Sequence, residues 1–181
     1  MPTNKSAAAD QSDASEESAL KELFIEELKD IYWAESHLVK NMPTLAKSAT
    51  SAPLLKAFET HLAQTVGQVA RLEQVFNSIG EEASAKKCEA MNGLVKEAIE
   101  MIEDTKEGTL TRDVALISCA QKVEHYEIAS YGTLKTLAGV LGFNQAAQLL
   151  EQTLQEEKNT DSLLTQIAES FVNEKAKKEK K

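Results

Sequence analysis

Apolar positions in this chain recur at spacings of three and four residues over long stretches, and almost nowhere in strict alternation. The pattern predicts an all-α protein. Five helices follow from it, at about Leu20 to Ala49, Ala52 to Ile79, Lys86 to Lys106, Thr111 to Leu141 and Asn144 to Asn173. Each of the four longer helices carries one apolar stripe. On the first it runs Leu28, Ile31, Leu38, Met42, Leu45; on the second Leu54, Phe58, Leu72, Val75, Ile79. On the fourth it runs Ile117, Ala120, Ile128, Leu134, Ala138; on the fifth Ala146, Leu150, Leu154, Leu164, Ile167.

Breakers and caps set the boundaries. Pro43 falls inside the first stripe and is expected to kink or end it. Pro53 suits the first turn of the second helix, and Gly80 and Gly142 stand where helices should stop. Thr111 and Asn144 are the expected caps of the fourth and fifth helices, with Asp113 in the first turn of the fourth. The short connections after the first and fourth helices make two antiparallel hairpins. The third helix supplies a long crossover between them. Two hairpins and a crossover form a ferritin-like four-helix bundle with a fifth helix.

The stripes are interrupted in a way that packing does not require. Glu35 breaks the first, His61 with Thr65 and Gln68 the second, Glu124 and Glu127 the fourth, and Glu157 and Asp161 the fifth. Their levels agree. Glu127 lies 142 − 127 = 15 residues before Gly142, and Glu157 lies 157 − 142 = 15 after it. Glu124 and Asp161 form a neighbouring layer by the same measure. Glu35 stands at the level of His61, Thr65 and Gln68 across the first hairpin. No Lys or Arg lies on these stripes. Buried together without compensation, the acids would repel one another and hold their protons. A pair of divalent cations would relieve that, and oxygen ligands with one imidazole suit iron or manganese better than zinc. The candidate metal ligands are therefore Glu35, His61, Glu124, Glu127, Glu157 and Asp161. The Glu-x-x-His pairs of di-iron bundles are absent. Helix 2 offers His61-x-x-Gln64 and helix 5 Glu157-x-x-x-Asp161. The bland alternatives are buried acids held by Tyr32, Tyr131 or Gln68, and a satisfied core histidine.

Composition narrows the class. The 181 residues suffice for one domain with a real core. A net charge of −9 disfavours nucleic acid and anionic membranes as partners, and no apolar run reaches membrane-spanning length. Cys88 and Cys119 show no metal or redox spacing, which fits reduced packing thiols in a cytoplasmic protein. Residues 1–18 are polar and Ala/Ser-rich, and read as a disordered segment. Residues 19–172 form the helical domain, and the Lys-rich residues 173–181 read as a disordered tail.

Several blocks also carry a resemblance: "LKDIYWAE", "RLEQVF", "CEAMNGLVKEA", "RDVALISCAQKVEHYEIASYGTL" and "EEKNTD". Together they resemble the YciE/YciF family of ferritin-like bacterial stress proteins, over about Leu20 to Ser170. The "AQKVEHYEIASYGTL" block is the most specific. The resemblance implies a five-helix ferritin-like fold, a homodimer, and a candidate di-metal site. It matches the family's polar pattern at Glu35, His61, Glu124, His125, Glu127, Glu157 and Asp161, with Gln64 a departure where an acid often stands. The leading expectation is a stress-response protein with a di-iron or manganese centre reacting with peroxide or oxygen. The alternative is a structural or interaction module with a relict carboxylate site.

Overall fold

The computed structural model describes residues 18–180, so the expected disordered segment 1–18 lies, but for Ser18, outside the described residues. The described chain is helical, with no strand among its elements. Helix α1 spans Ala19–Ser48, α2 Ala52–Ser78, α3 Glu89–Asp104, α4 Leu110–Val140 and α5 Asn144–Ile167. A π-helical turn, Ala168–Val172, continues α5 into the short α6, Asn173–Ala176.

Local chemistry explains the boundaries. Ser18 caps α1 by accepting from the Lys21 amide at 3.2 Å. Pro43 does not end α1, which runs on to Ser48. Pro53 lies in the first turn of α2 as expected. Gly142 takes φ +78° after α4, letting Phe143 N donate to the Ala138 carbonyl at 2.8 Å in a Schellman-type closure. Gly80 (φ +77°) does the same service after α2.

Two expected caps are displaced. Thr109, not Thr111, caps α4 by accepting from Arg112 N at 3.2 Å, and Phe143 stands at the N-cap of α5, with Asn144 its first residue. Asp113 is fully buried and serves the other hairpin, accepting from Thr50 N at 2.7 Å and Ser51 N at 2.8 Å. It thereby fixes the α1–α2 turn against the start of α4. The C-terminal residues read from the sequence as a disordered tail carry the short helix α6 and a contact back to the start of α4. Glu179 accepts from Leu110 N, Thr111 N and the Thr111 hydroxyl, at 2.8, 2.9 and 2.8 Å. The free amides at the start of α4 need an acceptor, and the tail supplies one.

The long helices form the two hairpins α1–α2 and α4–α5, joined by crossover α3, which buries Met91, Val95 and Ala98 against the bundle. The apolar core is in two parts. One gathers Leu28, Ile31, Leu72, Phe76, Leu134 and Leu150; the other Leu54, Phe58, Leu116, Ile117, Leu164 and Val172. Each such side chain stabilises the fold by about 1.5–3 kcal/mol through burial. Along α2, α4 and α5 the boundary between the parts is polar: His61 to Gln68, Glu124, and Glu157 with Thr160.

Candidate metal centre

Five ionisable side chains fill this middle layer. Glu35, Glu124, Glu127 and Glu157 are at most 1% exposed, and His61 is 5% exposed. His61, Glu124, Glu127 and Glu157 each offer one ligand atom, and these atoms lie within 4.8 Å of one another. His61 Nε2 is 3.2 Å from Glu124 Oε1 and 3.8 Å from Glu157 Oε2. The other ring nitrogen, Nδ1, meets the Thr160 hydroxyl at 3.3 Å. The Thr160 hydroxyl also reaches the Glu156 carbonyl at 3.2 Å, which ties the ring to the backbone of α5. Nε2 is thereby aimed at the carboxylates, the orientation a metal-binding imidazole needs.

Glu35 completes the layer from α1. The buried Tyr131 hydroxyl donates to Glu35 Oε1, while its Oε2 has no partner. Glu127 Oε2, Glu124 Oε2 and Glu157 Oε2 are likewise buried without a hydrogen-bond partner. Gln68 Nε2 donates to Glu157 Oε1, and its own Oε1 is unpartnered.

The electrostatics follow from this crowding. Burial lifts Glu35 to about 7, although the Tyr131 hydrogen bond and the His61 charge oppose it. Glu127 rises well above the carboxylate range through burial, then the charges of Glu35, Glu157 and Glu124. Glu157 is pushed to about 11 by burial and by the charges of Glu35 and Glu124. Burial opposes the His61 imidazolium, but the charge and hydrogen bond of Glu124, then Glu35 and Gln64, outweigh it and raise its pKa. With every carboxylate ionised the layer would carry −4 + 1 = −3, even with His61 charged.

The structure thus brings together five of the six residues proposed from sequence. Asp161 is not among them. It is 23% exposed at its side chain, and pairs with His125 Nε2 at 3.5 Å and Gln121 Nε2 at 3.1 Å on the outer side of α4 and α5. Its carboxylate is held on that outer side by the Gln121 amide and the His125 ring rather than turned into the layer. His125 is 70% exposed, in keeping with its surface placement. Tyr32 donates to Glu73 at 3.0 Å rather than to a cluster acid, and Trp33 stacks on His37 at 4.5 Å. The stripes gave no hint of Arg71. It lies beside α2's inner face, and its guanidinium reaches Glu156 on α5 in a bidentate pair, 2.8 Å on each arm. Thr160 was missed as well, since a threonine one turn from an acid carries no sequence signal of its own.

The comparisons with known proteins agree with the helical fold. Protein YciF of Escherichia coli (strain K12) is 49% identical over 161 residues, 87% of this chain and 95% of that protein. The crystal structure of the E. coli stress protein YciF matches with a TM-score of 0.83 at 48% identity, over 88% of this chain and 100% of that one. YcfI from Rhodopseudomonas palustris matches with a TM-score of 0.79 at 36% identity, over 84% and 96% of the two chains. A family model described as "Domain of unknown function (DUF892)" matches residues 19–177, from the first residue of α1 to just past α6. With that model spanning the bundle and YciF nearly half identical across it, the chain belongs to the DUF892 family, the family of YciF to which the "AQKVEHYEIASYGTL" block pointed.

Proposed function

We propose that the buried layer binds two divalent iron or manganese ions, and that the protein acts as a ferritin-like stress protein toward peroxide or oxygen. The observation that carries this reading is the set of four orphaned carboxylate oxygens, on Glu35, Glu124, Glu127 and Glu157, gathered around His61 in the core. Buried polar oxygens are ordinarily satisfied, and leaving them bare costs about 1–3 kcal/mol each. Two divalent cations would neutralise the four carboxylates, with His61 neutral. The donor set of oxygens and one imidazole fits hard to borderline cations.

In this reading His61, Glu124, Glu127 and Glu157, with Glu35 beside them, would hold the ions. Tyr131 orients Glu35 through its hydroxyl, and Thr160 orients His61. The apolar parts of the core on either side exclude bulk water from the layer. Bound iron or manganese supplies one-electron redox chemistry toward the oxidant. The protein works as a homodimer in the cytoplasm. Its two free, buried cysteines suit a reducing compartment, and among the described residues no helix is long and apolar enough to cross a membrane.

The test is metal content after anaerobic Fe(II) loading and desalting, followed by near-UV spectra on adding peroxide. About two irons per chain and an oxo-type band support the reading. Substoichiometric metal and no band sink it.

A second reading is favoured by the protons the acids retain. If Glu127 and Glu157 stay neutral and Glu124 pairs with His61, the layer stands without metal as a polar seam in a structural or interaction module. Glu127→Ala then changes stability but abolishes no chemistry, whereas in the metal reading it removes bound metal.

A further inference from the structure

The four acids of the layer are sealed from solvent, so a hydrated cation must cross the bundle wall to reach them. Between α2 and α5 that wall contains a polar column. At its outer end Glu156 is 27% exposed at the side chain and Arg71 18%. Arg71 spans both Glu156 oxygens at 2.8 Å, and its Nη1 also donates to the Thr153 hydroxyl at 2.7 Å. One step inward, Gln68 Nε2 donates at once to Glu156 Oε2, at 3.0 Å, and to Glu157 Oε1 in the buried layer. Gln68 is fully buried, and its Oε1 has no partner.

The other polar neighbours of the layer offer no comparable path among the described residues. Tyr131 is fully buried and ends at Glu35. Gln64 reaches His61, a neutral amide against an imidazole, with no anionic oxygen to draw a cation. Asp161, His125 and Gln121 bind one another on the outer face.

We propose that Glu156 is an outer docking site for hydrated divalent cations, that Gln68 passes them to Glu157, and that Arg71 closes the route when no cation is present. The proposal rests on the metal-binding reading above. Arg71 is the resident counter-ion of Glu156, and a divalent cation competes for the same two oxygens with twice the charge. A half-turn of the Gln68 amide exchanges its N–H group for the unpartnered Oε1, which gives the cation a neutral oxygen between the two carboxylates. The column holds only oxygen acceptors, so it favours cations that accept oxygen ligands over those that demand sulfur.

The experiment follows Co(II) uptake by its visible absorbance after rapid mixing with metal-free protein. It uses the wild-type chain, Glu156→Gln and Arg71→Gln, and reads both the rate and the final Co(II) per chain. The proposal expects Glu156→Gln to fill at least about tenfold more slowly and to the wild-type level, the scale on which a focusing charge changes association rates. Arg71→Gln, with Glu156 unblocked, is expected to fill several-fold faster than wild type. Should Glu156→Gln fail to fold by circular dichroism, the Arg71→Gln rate decides alone. Variants that fill at the wild-type rate overturn the route while leaving the metal reading in place. A wild-type protein that binds no Co(II) at equilibrium overturns both.

Discussion

In the metal-free protein, raising the pH from about 5 to about 8 is expected to destabilise the fold. Glu35 is the clearest contributor. Its carboxyl moves from 4.5 to about 7 on folding, chiefly because burial disfavours the charged form. A group whose pKa is raised in the folded state binds more protons there than in the unfolded chain. Its contribution is therefore complete below 4.5 and is lost as the pH climbs through about 7. At about 1.4 kcal/mol per unit, a rise of 7 − 4.5 = 2.5 units corresponds to about 3.5 kcal/mol. His61, also raised, works in the same direction, and Glu157, pushed to about 11, extends the loss into alkaline solution. The assay is guanidinium unfolding followed by circular dichroism, in chelator, at half-unit pH steps. Mn(II) should stabilise the protein increasingly as the pH rises, because it takes the place of the retained protons. Glu35→Gln should flatten the slope below about pH 7. Metal-free stability that stays flat or rises from about pH 5 to about 8 would refute the assignment of uncompensated buried acids.

Three further outcomes follow. Tyr131→Phe removes the donor to a fully buried carboxylate and should cost about 1–3 kcal/mol in denaturant unfolding; wild-type stability would mean that Glu35 has another partner. Asp113→Ala strands the Thr50 and Ser51 amides at the α1–α2 turn and should cost about 2–4 kcal/mol by the same measurement. Asp161→Ala should leave Mn(II) stoichiometry at the wild-type value while Glu157→Gln lowers it, read by equilibrium dialysis; equal losses would return Asp161 to the ligand set.

The helices and the inner layer were legible because both depend on periodicity. A spacing of three and four fixes which side chains share a face. Equal distances from a tight turn fix which residues of a hairpin meet, which is how Glu127 and Glu157 could be matched from the sequence. The same rule erred at Asp161, whose carboxylate is drawn outward to Gln121 and His125 on the neighbouring helix, a choice that spacing along one helix does not reveal. Caps slipped by one or two residues at Thr111 and Asn144, because several polar residues near a helix start can serve and only the backbone path chooses among them.

What the sequence determined by itself is the list of helices, the pairing of the hairpins, and the presence of acids and one imidazole at a common level. These are consequences of local spacing and short connections. The tertiary structure alone decided which atoms converge and which distant residues meet. The sequence does not show that Nε2 of His61 faces Glu124, that Tyr131 on α4 serves Glu35 on α1, or that Arg71 locks onto Glu156. It does not show that Glu179 in the tail closes the start of α4. Each joins residues far apart in the chain. Such pairs depend on how one helix is rotated against another, and that rotation is set by the packing of all the helices at once.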